Sequence, residues 1–446
     1  MKSKFSRLGF ILAAAGSVVG LGNIWKFPYL TGEYGGGAFV IVYLMAILVI
    51  GLTVFIAEAV IGQNAQSNVA TAFSQTSKSK NFNWEFAALM IFTGLIILSF
   101  YSVVLGWILN YVFTSFQTLP TSHKIATENF TNLITNEIFL QVICHTIIAA
   151  TVIYIVLKGV KEGIEKLNII LMPLLTIILF GLLFYAVTLD SFTQAVQFMF
   201  VADWSKINAN ALLAALGHAF FTLSLGFGAI ITYSASLPKD ANFIKSSVIV
   251  AIMDTTIAII AGLIIFTFIF TAGAKSGAGP GLVFISLPVI FAEWGILGNI
   301  IAISFFVALL FAGITSSVSM VEPSVMFLIE KFNMTRVKAT IICGSIFYGL
   351  GVIALLSMSS SYGASFTYFG KNAFDWMDFI TSSISMPIAG IVICIFIGFY
   401  VDKQMIKDKF TAFVPVFVFN IWYILIKYIV PLAITVLILN KLGIIK

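Results

Sequence analysis

Two long apolar segments of this 446-residue chain are interrupted in the middle by glycines. The first reads Gly16-Ser-Val-Val-Gly20-Leu-Gly22-Asn23, the second Phe220-Phe-Thr-Leu-Ser224-Leu-Gly226-Phe-Gly228. Hydrocarbon offers no partner to a bare N–H or C=O, so an apolar helix survives interruption only where the freed groups are buried in protein or line a cavity. A pair of such breaks in corresponding halves of a chain points to an ion and substrate site near the bilayer midplane.

That these segments belong in a bilayer follows from composition. Hydrophobic residues make up 60% of the chain and charged residues 9%, with a mean hydropathy of +1.07. A soluble domain carries roughly 25% charged residues. One span needs about 20 apolar residues. Eleven such stretches are expected, near 8–32, 38–64, 86–116, 137–157, 167–188, 210–236, 242–272, 298–328, 339–357, 377–400 and 413–440. The chain therefore reads as an all-α polytopic membrane protein, a single transmembrane unit over 1–446.

The net charge of +6 is distributed as a membrane protein distributes it, and not as a nucleic-acid surface. Lys2, Lys4, Arg7, Lys78, Lys80, Lys158, Lys161, Lys166, Lys239, Lys245, Lys331, Arg336, Lys338, Lys403, Lys407 and Lys409 fall in one set of alternate loops. Lys124, Lys206, Lys275, Lys371, Lys441 and Lys446 fall in the other. The positive-inside rule then puts the N-terminus in the cytoplasm and, with an odd number of spans, the C-terminus outside a cell (inner or plasma) membrane. The basic start followed by Ala13-Ala-Ala15 resembles a signal peptide, but the apolar run continues through Gly22-Asn23 to Pro28, so it is read as a retained span. Cys144, Cys343 and Cys394 all lie in apolar segments and read as small core residues.

Four spans separate the two broken segments, four follow the second, and one is left over. Two blocks of five, each opening with a broken helix, run antiparallel because five is odd: a 5+5 inverted repeat, about 8–188 and 210–400, plus an extra helix at about 413–440. Residues 66–84 read as a polar connector, 158–166 as a short inner loop, 273–297 as a re-entrant or capping outer helix, and 358–372 as an outer loop.

Broken helices expose carbonyls, which suit a hard monovalent cation, and helix N-termini, which suit a carboxylate. Near the first break lie the carbonyls of Gly16, Val18 and Val19 and the Asn23 side chain; near the second lies Thr222. In the eighth span, Ala312-Gly-Ile-Thr315-Ser316-Ser317 sets a carbonyl at i against hydroxyls at i+3 and i+4, half of an oxygen cage. The ligands are all oxygen and mostly neutral, which favours sodium over calcium, zinc or copper. The competing reading is that these hydroxyls bond back to their own helix. Four acids sit in or beside spans, and each needs a partner there. Glu58 is expected to accept from amides freed by the breaks. Asp254 either adds formal charge to a sodium site or is a hydrogen-bonded core acid. Glu322, before Pro323, reads as structural, and Asp378 is placed to meet Lys26. His145 and His218 read as satisfied core histidines. No catalytic set of an enzyme is present in the sequence.

Taken together, Arg7-Leu-Gly-Phe, Gly20-Leu-Gly-Asn-Ile-Trp-Lys26-Phe-Pro-Tyr29, Gly35-Gly-Gly-Ala-Phe39, Phe220-Phe-Thr-Leu-Ser-Leu-Gly-Phe-Gly228 and Ala312-Gly-Ile-Thr-Ser-Ser317 resemble the neurotransmitter:sodium symporter family. The resemblance implies the leucine-transporter fold and sodium-coupled symport by alternating access. Two Na⁺ sites are implied. The first would use Val18, Asn23, Thr222, Asp254 and the substrate carboxylate, the second Gly16, Val19, Ala312, Thr315 and Ser316. Substrate would contact Val18, Gly20, Gly22, Ile97, Tyr101, Phe221, Ser224, Phe227, Ser316 and Met320. Tyr101 and the Gly20–Gly22 amides would hold its carboxylate, with Phe221 and Tyr101 as the roof. Lys26 and Asp378 would form an outer gate, and Lys2 or Lys4 with Glu330 an inner latch.

Several positions depart from the family's commoner pattern. Lys26 stands where Arg is usual and cannot make a bidentate fork. Asp254 stands where chloride-dependent relatives have Asn, so no chloride requirement is expected. His218 replaces a Gln and is placed to titrate against Asp254. The expected function is import of a neutral, hydrophobic or aromatic L-amino acid with sodium. The alternative is a transporter-like amino-acid sensor or ligand-gated channel. The expected partners are the amino acid and the lipid bilayer, with no nucleic acid and with room for a homodimer.

Overall fold

A computed structural model describes residues 5–79, 82–273 and 281–444. Lys2, Lys4, Lys80, Lys275 and Lys446 lie outside the described residues. The fold is a helical bundle whose spans are named here in chain order. The first crossing is a bent pair, α1 (Leu8–Val18) and α2 (Gly22–Glu33), meeting at 48°. Then come α3 (Gly37–Ala65), α4 (Trp84–Thr114), α5 (Ile138–Leu157) and α6 (Val160–Val187). The second broken crossing is α7 (Ala209–Thr222) followed by the short α8 (Ala229–Ser234). Next are α9 (Phe243–Thr271), the shorter α10 (Leu282–Glu293), α11 (Gly295–Phe332), α12 (Arg336–Leu356), α13 (Ala373–Tyr400) and α14 (Val416–Lys441). Among the described residues nine helices are long and apolar enough to span alone, and the α1–α2 pair makes a tenth. The α7–α8 pair, each half too short by itself, occupies the stretch expected as the sixth crossing.

Two stretches read as loops are ordered differently. Residues 158–166 are not a loop, because Val160–Glu165 is a π-helical turn that forms the first part of α6. Gly159, at φ +87, makes the reversal in a single residue, which frees the following residues to join the helix. The polar connector 66–84 contains a helix, Val69–Thr76, whose first turn is capped by Asn68 Oδ1 accepting from Thr71 N at 3.2 Å. The apolar run expected as a capping helix forms α10, while 274–280 lie outside the described residues. The 358–372 loop holds a minimal antiparallel pair, Thr367–Tyr368 against Lys371–Asn372.

The bundle packs around α1, α4, α9 and α11, whose small residues let helices approach closely. Two interior acids are held by defined partners. Glu322 accepts from Arg336 Nη2 at 2.5 Å, and Arg336 Nε also donates to the Val156 carbonyl at 2.7 Å. The pair joins α11, α12 and α5 at one end of the bundle. Glu58 accepts from Gly226 N at 2.8 Å, tying α3 to the second break. All three cysteines are buried and free, and His145 stacks on Tyr348 with Nε2 3.3 Å from the Tyr348 carbonyl.

Removing one partner of a buried ion pair strands the other charge, at a cost of about 3–5 kcal/mol. Arg336→Met is therefore expected to lower the unfolding temperature of the purified protein markedly, and adding Glu322→Gln to recover most of the loss. An unchanged unfolding temperature for Arg336→Met would contradict the pairing.

Candidate substrate and cation site

The α1 helix stops at Val18, and Val19 turns extended (φ −74, ψ 101) before the chain resumes helix at Gly22. The second break runs from Leu223 to Gly228, with Ser224, Gly226 and Gly228 in left-handed conformations. Gly226 has no substitute: a methyl there would stand 2.6 Å from the Met386 carbonyl, and its φ of +81 disfavours any side chain. The breaks touch directly, since Ser224 Oγ donates to the Ser17 carbonyl at 2.7 Å. Ser17 Oγ in turn donates to Ser319 Oγ of α11 at 2.8 Å.

Freed amides of the first break are also met. Gly20 N donates to Asn23 Oδ1 at 2.9 Å, and Leu21 N donates to the Tyr101 hydroxyl at 3.3 Å. A small cavity of about 20 Å³ lies between the breaks. All ten residues expected to contact substrate line it, from Val18 and Gly20 on the first break to Phe227 on the second and Met320 on α11. Thr222, expected in the first sodium site, lines it as well, as do Ser17, Leu21 and Met386, which were not anticipated. A space of this size holds about one water, so a larger guest requires its walls to part.

Two oxygen clusters flank the cavity. In one, Asp254 Oδ1 accepts from Asn23 Nδ2 at 2.6 Å and from Thr222 Oγ1 at 2.9 Å. Asn23 Nδ2 also reaches the Asp254 carbonyl at 3.0 Å, and the Tyr43 hydroxyl lies 3.4 Å from Asp254 Oδ2. Asn23, Thr222 and Asp254 therefore meet, with Val18 on the adjoining cavity wall. In the other cluster, Ser316 Oγ lies 3.1 Å from the Gly16 carbonyl, 3.2 Å from that of Val19 and 3.1 Å from that of Ala312. Thr315 Oγ1 is 2.9 Å from the Ala312 carbonyl and 3.0 Å from that of Phe311. The hydroxyls thus bond back along α11 and, in the case of Ser316, also reach across to the first break.

Other expected contacts are absent among the described residues. Lys26 and Asp378 form no ion pair within 4 Å; instead Lys26 Nζ stands 4.6 Å over the ring of Phe221, the expected roof residue. A lysine, lacking a planar fork, gains more from the half-buried ring face than from an exposed carboxylate. Glu330 accepts from Asn68 N at 2.8 Å and from Asn68 Nδ2 at 2.9 Å, while Lys2 and Lys4 lie outside the described residues. His218 is not the hydrogen-bonded core histidine expected: neither ring nitrogen has a hydrogen-bond partner among the described residues. It packs between Phe27 and Tyr43, at 6.2 and 5.2 Å between ring centres, and makes no hydrogen bond to Asp254.

Sequence reasoning missed Tyr43, Arg336 and Asn168. Asn168 is fully buried, and its Nδ2 donates to the Ile164 carbonyl at 2.8 Å. That bond fixes the amide orientation, turning Oδ1 onto the Cα face of Gly16, where it finds no hydrogen-bond donor among the described residues.

Broken helices whose backbone oxygens meet hydroxyls and a carboxylate around a central cavity define a secondary transporter, not an enzyme. The sequence matches the sodium:neurotransmitter symporter family over residues 2–138 and 133–445, and the chain belongs to that family. An uncharacterized sodium-dependent transporter of Haemophilus influenzae is 36% identical, across 98% of this chain and 97% of that protein. The YhdH sodium-dependent transporter of Bacillus subtilis is 32% identical across 99% and 98%. The crystal structure of MhsT in complex with L-phenylalanine superposes with a TM-score of 0.89 at 40% identity, covering 99% of this chain and 100% of that one. The fold is thus the leucine-transporter type, and the protein is a sodium-dependent, multi-pass membrane transporter.

A methyl on Gly16 would stand 1.7 Å from Asn168 Oδ1. Gly16→Ala is expected to lower the unfolding temperature, and Asn168→Ala in the same chain to restore part of it. Additive losses in the double variant would show that the two residues do not touch.

Proposed function

We propose that the chain imports a neutral, hydrophobic or aromatic L-amino acid together with sodium, without requiring chloride. The observation that carries this reading is the central cavity. It joins the first break's amides to apolar walls from Ile97, Phe221, Phe227 and Met320, and its lining includes no ionisable side chain except the Tyr101 phenol. A substrate α-carboxylate would meet the Gly20–Gly22 backbone and Tyr101; its apolar side chain would enter the walls, with Phe221 above it. MhsT, whose structure holds L-phenylalanine, supports the substrate class by similarity.

Two cation positions fit the oxygen clusters. Ser316 has one hydroxyl proton but three carbonyls at 3.1–3.2 Å. At most one of those approaches carries the proton fully, so the remaining oxygens are turned towards each other without a positive charge between them. A sodium ion among Gly16, Val19, Ala312, Thr315 and Ser316 supplies that charge. The other ion would sit with Val18, Asn23, Thr222, Asp254 and the substrate carboxylate, so that ion and amino acid favour each other's binding. The fixed Asp254 carboxylate takes the charge-balancing part that a bound chloride would otherwise play.

Alternating access then has a physical basis. The two five-helix repeats, about 8–188 and 210–400, rock about the shared breaks while the ions hold the first break against α11. Lys26 acts on the outer gate through the Phe221 ring, and the Asn68–Glu330 contact closes the inner side. The N-terminus faces the cytoplasm and the C-terminus the outside of the cell membrane, a reading supported by the uneven distribution of basic residues between alternate loops.

Proteoliposomes loaded without sodium are expected to take up labelled phenylalanine, leucine or tyrosine when sodium is added outside, and equally well with gluconate in place of chloride. No stimulation by a sodium gradient would overturn the symport reading. A marked drop in gluconate would overturn the role given to Asp254, and Asp254→Asn is expected to make uptake depend on chloride.

A further inference from the structure

Lys427 lies well inside α14, where an ammonium group needs a partner. Among the described residues it makes no ion pair, and neither does Lys403 at the start of the Lys403–Thr411 helix. Both are instead held by rings. Lys427 Nζ is 4.5 Å from the ring centre of Phe399, 5.5 Å from that of Tyr428 and 5.7 Å from that of Tyr423. Lys403 Nζ stands 4.8 Å from the same Tyr423 ring. The Tyr423 hydroxyl donates to the Gly398 carbonyl at 3.0 Å, which fixes that ring against α13.

The backbone is shaped around this cluster. Phe396–Tyr400 at the end of α13 and Leu425–Ile429 in α14 are both π-helical turns, so the two helices meet here through locally widened backbone. Gly398 admits the lysine stem, since a methyl there would lie 3.1 Å from Lys427 Cγ. Ile421, Ile424 and Tyr428 form an exposed stripe on α14, and Phe399 is exposed beside them on α13. The cluster thus faces lipid at the depth where α13 ends and the polar Lys403–Thr411 helix begins. A ring satisfies only one face of an ammonium group, and neither lysine has a hydrogen-bond acceptor among the described residues, so N–H donors of both remain available beside the Tyr423 ring.

We infer that Lys403 and Lys427 form a binding site for the headgroup phosphate of an anionic phospholipid, seated on the Phe399–Tyr423–Tyr428 rings at the junction of α13 and α14. The phosphate accepts hydrogen bonds from both ammonium groups and supplies the counter-charge they lack, and the acyl chains lie along the exposed stripe. Lys403 is a juxtamembrane lysine of the kind that recognises such headgroups, and the long Lys427 stem lets its ammonium group reach towards the same level from within α14.

Native mass spectrometry of the purified full chain tests this, with phosphatidylglycerol, phosphatidylcholine or inorganic phosphate added in parallel. Phosphatidylglycerol is expected to stay bound through detergent exchange, and each of Lys403→Met and Lys427→Met to weaken its retention about fivefold. Lys427→Arg should retain it, as should Lys407→Ala, which removes the same charge from the same loop without a ring contact. Because Lys403 is exposed, its variant reports on binding even if Lys427→Met fails to fold. Equal retention of phosphatidylcholine overturns the proposal, as does wild-type retention by both Met variants, or displacement of the lipid by inorganic phosphate.

Discussion

Everything in this structure turns on where the backbone groups of two interrupted helices find partners in a medium that provides none. The Ser17 carbonyl takes the Ser224 hydroxyl, Gly226 N takes Glu58, Gly20 N takes Asn23, and Leu21 N takes Tyr101. The Gly16 and Val19 carbonyls take Ser316. Each partner comes from another part of the chain or from across the break, so the bundle can assemble only with the breaks at its centre. On the proposed reading, the same groups that would be intolerable against lipid become ligands once they are enclosed.

Ser316 shows how enclosure turns into coupling. Its hydroxyl belongs to the oxygen cluster of the first break, and the residue also borders the central cavity. Asp254 occupies the equivalent position on the other side, touching Asn23 of the first break and Thr222 beside the second. On the proposed reading, an ion at either cluster fixes the shape of the cavity that receives the amino acid. Coupling of this kind is reciprocal, because each ligand must help the other by the same free energy.

The spans and the breaks were legible in the sequence because lipid imposes a length of about 20 apolar residues and penalises glycine interruptions. The hydroxyl cluster was legible for a similar reason: positions i, i+3 and i+4 must share a helix face, which brings Ala312, Thr315 and Ser316 together. Contacts between distant helices were not. Arg336 was counted with the loop charges because it starts a span, yet it turns inward to Glu322. Tyr43 sits in an unbroken apolar run with nothing to distinguish it from core, and Asn168 falls at the start of the span expected over 167–188, where the sequence gives no sign that it meets Gly16. Lys26 carried the right address and the wrong partner, because the sequence shows its charge but not the Phe221 ring beneath it.

The most direct measurement compares sodium's effect on binding of L-phenylalanine and of phenylalaninol, which keeps the amine and ring but lacks the carboxylate. If the first break holds a carboxylate beside a cation, sodium raises the affinity for phenylalanine strongly and leaves that for phenylalaninol nearly unchanged. Equal enhancement of both, or none of either, would contradict a site in which ion and carboxylate share the broken helix.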